Sequence, residues 1–246
     1  MTDQSNTAVT ERSAETRARI LDAALSEFAL HGLAGARTER IATTAGVNKA
    51  LLYYHFDSKE KLYLASFEMI ASRVRDSSMA VFLRESQTPG ERVVRAALNH
   101  FDRIVGQQEF QSLMHQEMIR AHKGESNVLP VLVKRVFEPL IIMHRAMVRE
   151  GIESGELIEV DWMQMQLASL GANVFYFLSA PVWRMISGEE PLSSESLATR
   201  RKAIVEFLGQ AIFKDRQHGA ALAAKVFADT PMPAIEGDRV IFGRNV

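Results

Sequence analysis

The chain has 246 residues, 47% hydrophobic and 24% charged, enough for a buried core in one domain or in a small and a larger one. Its formal net charge is −1, so any nucleic-acid surface has to be a local patch on a molecule that is not a polycation. Cysteine is absent, which excludes disulfides and thiolate metal sites and fits the reducing cytoplasm where the protein is expected; no signal core begins the chain, and no run approaches the ~20 apolar residues that span a bilayer, so no membrane partner is expected.

Residues 1–12 are polar and rich in Thr, Ser, Asn and Gln, and are expected to be a disordered N-terminal tail. From Ser13 a helical period sets in, with Ile20, Ala24 and Phe28 at four-residue steps and Leu21 and Leu25 widening the stripe. The glycines of "HGLAG" stop it. Thr38 reads as the N-cap of a second helix carrying Ile41, Ala42 and Ala45, and Gly46 ends that helix. Asn48 caps a third, running to about Phe56. Asp57 or Ser58 caps a fourth, with Leu62, Leu64, Phe67 and Ile70 along it.

Beyond residue 85 the period stays helical, over about 90–106, 109–122, 128–152, 161–186 and 195–214. "GELIEV" is short and isolated and reads as an extended connection. "LASLGANVFYFLSAPVW" is too short for a membrane span, contains Asn173 and Pro181, and reads as a buried helix. Periodicity is lost after about Phe227. The expected organisation is all-α: a helix-turn-helix head at 13–60, a larger helical body at 61–214 and a loosely held C-terminal tail at 215–246.

Residues 38–59 carry the clearest chemistry. Two short helices joined by "AGVN" make a helix-turn-helix. Ala42 has to be small where the helices cross, and Gly46 permits the positive φ of the turn. Val47, Leu52 and Phe56 face inward, the last two as an i, i+4 pair. Lys49, Ala50, Tyr53, Tyr54 and His55 remain outside, with Lys59 just beyond. They supply hydrogen-bond donors beside a helix N-terminus, the equipment for holding phosphates with a helix in a DNA major groove. The bland alternative is a structural helix whose tyrosines pack with wet tips.

The run "TERIATTAGVNKALLYYHFDSKEKL", with the upstream "ILDAALSEFALHGLAGA", resembles the N-terminal signature of the TetR family over roughly residues 14–65. The resemblance implies a three-helix DNA-binding head, a variable all-helical effector-binding and dimerisation body, a homodimer on double-stranded operator DNA, and in most members bacterial transcriptional repression. Carried onto this chain, Thr38 would contact phosphate from the start of the second helix. Lys49 and Ala50 would approach base edges behind the Asn48 cap. Tyr53, Tyr54 and His55 would bind backbone phosphates, and Lys59 would clamp another. Ala50 stands where glycine is common, and Leu51 where a hydroxyl is common. Leu51 cannot donate to a phosphate, and apolar contact with a thymine methyl is what its side chain offers.

The body is rich in methionine, which packs irregular cavities and adapts to varied ligands, although any single one reads first as core. Phe101, Ile104, Met114, Met118, Phe137, Met143, Met147, Phe175 and Tyr176 are the candidate walls of a pocket for a small-molecule effector of unknown identity. Leu167, Leu170, Gly171, Val174 and Leu178, with Ile204, Phe207, Leu208 and Ala211, form two stripes that would pair across a two-fold axis as a four-helix bundle. His115 and His122 share a helical face, with His100, Glu117 and His144 possible neighbours, but seven-residue spacing is not a metal-ligand pattern; no metal or other cofactor is expected. No nucleophile–base signature or phosphate loop supports an enzyme, which with a protein-interaction module is the alternative reading.

Overall fold

The structure, a computed structural model, describes residues 3–83 and 87–233. It is helical, and among the described residues the β-structure amounts to one isolated antiparallel bridge between Leu157 and Phe213, in the connection expected to be extended. The chain divides into two compact units. One holds residues up to Arg73 together with Glu109–Val133, the other Val74–Gln108 together with the residues from Lys134 onward.

The first unit begins with α1, Asp3–Gly35. Residues 3–12, expected as disordered, extend this helix. Neither glycine nor proline occurs before Gly32, so nothing breaks the period set further along. The break comes at Gly32, whose φ of 67° lies in the left-handed region. Three helices follow, α2 at Thr38–Thr44, α3 at Lys49–Phe56 and α4 at Lys59–Phe82. Thr38 is the first residue of α2 and not its cap. Arg37 holds the cap position, and its N–H donates to the Glu27 carboxylate at 3.0 Å. Ser58 caps α4 by accepting from the Lys61 N–H at 3.1 Å.

The division cuts across the expected 61–214 body. Helix α6, Gln108–His122, lies in the first unit with the head. An aromatic chain joins them, with ring centroids 4.9 Å apart for Phe28–Tyr63, 5.9 Å for Tyr63–Phe67 and 6.0 Å for Phe67–Phe110. Ser112 adds a hydrogen bond to the Ala29 carbonyl at 2.7 Å. Apart from Tyr63–Phe67, these partners lie 35 to 83 residues apart in sequence, so local periodicity carries no trace of them.

The second unit is built on α5, Pro89–Gly106. The helix expected over 128–152 is split into α7 at Leu129–Leu132, which belongs to the first unit, a π-helical turn at Val133–Phe137 and α8 at Glu138–Glu153. Pro139 cannot donate a backbone hydrogen bond, and the widened turn stands just ahead of it. Helices α9 at Trp162–Ser187 and α10 at Ser194–Ala211 complete the core. Val94, Leu98, Phe101, Val148, Phe177 and Val205 are buried together there. Helix α9 is not the wholly buried element expected, since Leu167, Phe175, Leu178 and Val182 are exposed.

A helix not expected from the sequence, α11 at Arg216–Asp229, replaces most of the supposed tail. Leu222, Ala223 and Val226 are buried in the second core. Arg201 binds Asp102 at 2.7 Å and the Thr230 carbonyl at 2.8 Å, and Arg95 binds Glu91 at 2.7 Å and Asp229 at 3.3 Å. Residues 1–2 and 234–246 of the two expected tails lie outside the described residues.

Candidate nucleic-acid interface

The corner folds as its residues require. Leu52 and Phe56 are buried and Ala42 sits at the crossing, while Gly46 turns the chain at φ 65°. The Val47 N–H reaches the Ala42 carbonyl at 2.9 Å, and Asn48 Oδ1 accepts from the Leu51 N–H at 2.8 Å. With one face of α3 fixed inward and its N-terminus capped, the outer face is set. Lys49, Ala50, Leu51 and Tyr54 are exposed, Tyr54 to 79%, and Tyr53, His55 and Lys59 are half-buried. The His55 ring stands edge-on to Tyr54, centroids 5.4 Å apart.

Three expected site residues are placed differently from the simple picture. Thr38 is buried, and its hydroxyl accepts from Tyr53 Oη at 3.3 Å, so it seats the tyrosine and offers no hydroxyl of its own to a phosphate. The Asn48 side chain is taken up by capping. Lys59 Nζ donates to the Ala34 carbonyl at 3.3 Å, at the end of α1 where orphan carbonyls and the helix dipole favour a cation. A lysine at the N-terminus of its own helix, where the dipole disfavours a cation, thus has a partner at the end of another helix.

Lys49 forms an ion pair with Glu39, in the first turn of α2, and lies 5.9 Å from the Tyr53 ring centroid. The hydrogen bond from Lys49, then a backbone hydrogen bond and the Lys49 charge, hold Glu39 below the ordinary carboxylate range. The Lys49–Glu39 hydrogen bond raises Lys49 above the usual lysine value. Glu39 was not among the residues read as functional. An acidic residue in a helix's first turn explains itself through the dipole, and that hid its cross-helix role.

The two stripes on the body separate into outward and inward residues. Leu167, Gly171, Leu178, Phe207 and Ala211 are exposed, and Leu170 and Val174 are half-buried. Ile204 and Leu208 are buried in the core and leave the expected outer stripe, because they share a face of α10 with Arg201 and Val205. Phe175, Val182, Trp183 and Ile186 were missed and stand exposed on α9 beside the expected residues.

Of the expected pocket walls, Phe101, Ile104 and Met147 are buried in the second unit, where Phe137, Met143 and Tyr176 are half-buried. Met114 is buried in the first unit. Met118 and Phe175 are exposed and drop out, because each lies on the outer face of its helix. Polar groups passed over as pocket walls lie deep in the second unit. Asn173 Nδ2 donates to the Ala97 carbonyl at 3.2 Å and stands 3.2 Å from His100 Nδ1. Burial, with a smaller contribution from Arg103, lowers His100 to about 3, and burial lowers His144 to about 4. His144 Nδ1 has no hydrogen-bond partner among the described residues. His115 and His122 are exposed on α6.

Residues 20–66 match the family of bacterial regulatory proteins described as the tetR family. The HTH-type transcriptional repressor SCO4008 of Streptomyces coelicolor is 49% identical over 53 residues, 22% of this chain and 28% of that protein. The match therefore spans little more than a quarter of that curated relative. Over the longer chain, a transcriptional regulator from Saccharomonospora viridis in complex with choline is similar with a TM-score of 0.66 and 18% identity, covering 82% of this chain and all of that one. A gamma-butyrolactone receptor is similar with a TM-score of 0.58 and 19% identity, covering 89% of this chain and all of that one. At such identities these two likenesses speak for the all-α fold.

Proposed function

We propose that this chain, a member of the TetR family, is a homodimeric transcriptional repressor that a small molecule bound in the second unit releases from its operator. One observation carries the reading. A capped helix, α3, is clamped by Leu52 and Phe56 so that Lys49, Ala50, Leu51 and Tyr54 face solvent beside Tyr53 and His55. Donors and a helix N-terminus displayed on one rigid face are what phosphate and base-edge contact in a major groove needs. The repressor SCO4008 shares 49% identity over a 53-residue stretch, which supports the assignment of roles to these residues.

Two such heads must be held about 34 Å apart to meet successive major grooves. The exposed apolar residues of α9, with Phe207 on α10, supply a surface for that pairing. We place a small-molecule site among the α5, α8 and α9 residues Phe101, Met147 and Tyr176; the choline-bound neighbour supports the presence of such a site in a protein of this fold, not its position. An effector with different affinity for two head separations would shift the population between them. A regulator of this kind works in the cytoplasm.

A mobility-shift assay with the DNA upstream of the protein's own gene, run at two salt concentrations, tests the reading. Binding is expected to weaken steeply with salt and to be weakened in Tyr53→Ala and in Lys49→Ala. Binding that ignores salt or is unchanged by both substitutions overturns it.

A further inference from the structure

We infer that Glu39 is an internal competitor for Lys49: the Glu39–Lys49 ion pair holds the ammonium group in the free protein and must open before that lysine can serve DNA. The inference rests on the DNA-binding reading above and assigns a regulatory residue within the same face.

Helix α3 has the sequence KALLYYHF, and Lys49 is its one lysine or arginine. That cation is not free. Its partner stands on α2, ten residues earlier, so the pair bridges the two helices of the corner. Both side chains are well exposed, 50% for Lys49 and 65% for Glu39, so water, salt and phosphate can compete for either. The cations of α2 and of the first turn of α4 are engaged otherwise. Lys59 donates to the Ala34 carbonyl, Lys61 to Asp57 at 2.8 Å, and Arg40 lies 3.9 Å from Glu27. Glu39 therefore neutralises the charge at the start of the helix that presents Lys49, Ala50 and Tyr54.

The pair is weak enough to exchange. An exposed ion pair shifts an equilibrium by at most about five-fold. A phosphate contact also releases condensed counterions from DNA, which Glu39 cannot offer. Lys49 should therefore leave Glu39 for DNA at low salt. The exchange makes the net gain from Lys49 smaller than that of a free lysine, and its salt dependence shallower.

The test is fluorescence anisotropy with a labelled random-sequence duplex across a series of salt concentrations. It compares wild type, Glu39→Gln, Lys49→Ala and the double variant. Glutamine keeps the shape of the side chain and removes the charge. Glu39→Gln should bind about three-fold tighter at low salt, within the range of an exposed pair. Its slope of log affinity against log salt should steepen by up to about 0.9, the equivalent of one further phosphate neutralised. The double variant should behave as Lys49→Ala.

A second arm needs no DNA. An NMR titration of the Glu39 carboxyl should move upward, toward the ordinary carboxylate range, in Lys49→Ala. An unchanged titration overturns the inference. So does Glu39→Gln binding like wild type, or giving the same gain when Lys49 is absent, which would mean direct repulsion from DNA. If wild type binds no duplex at low salt, the DNA-binding reading fails and takes the inference with it. Binding without an effect of Glu39→Gln removes the inference alone.

Discussion

Glu117, wholly buried on α6, accepts a hydrogen bond from Tyr63 Oη on α4 at 2.8 Å. Arg120 adds a second at 2.8 Å and Ser126 Oγ a third. The buried carboxylate has three donors among the described residues, and burial together with the bond to Glu117 pushes the Tyr63 phenol up. Removing the hub strands all three donors, whereas removing the phenol leaves two in place. Glu117→Ala should cost about 3 kcal/mol in urea denaturation and Tyr63→Phe about 1 kcal/mol. Equal costs would contradict the hub.

His144 is 6% exposed with Nδ1 unpartnered, and it stays neutral to about pH 4 in the fold. His100 stays neutral to about pH 3. Both folded values lie below the ordinary value of 6.5, so the unfolded chain takes up protons first as pH falls. The stabilisation is whole above about pH 6.5 and drains away as pH falls, down to about pH 4 for His144 and about pH 3 for His100, by several kcal/mol in total. A thermal unfolding series from pH 7.5 to 5.0 should show Tm falling. His144→Leu should flatten that fall. A wild-type Tm independent of pH in this window would refute the buried-neutral assignment.

Gly209 and Gly219 bring α10 and α11 together at their backbones. A Cβ on Gly219 would stand 2.1 Å from the Gly209 carbonyl oxygen, and one on Gly209 would stand 2.6 Å from that of Gly219. Neither carbonyl can move without the helix that carries it. Gly219→Ala should therefore destabilise by about 1–3 kcal/mol, as overpacking does, and lower Tm in a calorimetric scan. An alanine variant as stable as wild type would show that α11 does not dock as described.

Phe207 is 70% exposed on α10, while its neighbours Ile204 and Leu208 are buried. If the outer faces of α9 and α10 pair two copies, a charge there opposes assembly without touching the core. Phe207→Glu with Leu167→Glu should sediment as monomer at concentrations where wild type is dimeric, with unchanged helical content. A wild-type protein that is monomeric at micromolar concentration would remove the proposed pairing.

The head was legible because its determinants are local. The Asn48 cap, the Gly46 turn and the Leu52–Phe56 pair sit within ten residues of one another, and each acts where the sequence places it. What escaped depends on distant partners. That Thr38 would lie beneath Tyr53, and Glu39 beside Lys49, needs the crossing of two helices. Membership of α6 in the first unit rests on Phe110 meeting Phe67. Helix α11 was read as tail because its buried alanine and glycine positions look featureless until α10 lies against them. On α9, periodicity marked an apolar stripe but did not tell the inner side, Phe177, from the outer, Phe175.

The central claim is that α3 reads DNA in duplicate, and selection from a random duplex library by wild-type protein tests it most directly. The claim predicts enrichment of an inverted repeat with half-sites about one helical turn apart, lost when Lys49→Ala and Tyr53→Ala are combined. No enrichment, or a single unrepeated element, would contradict it.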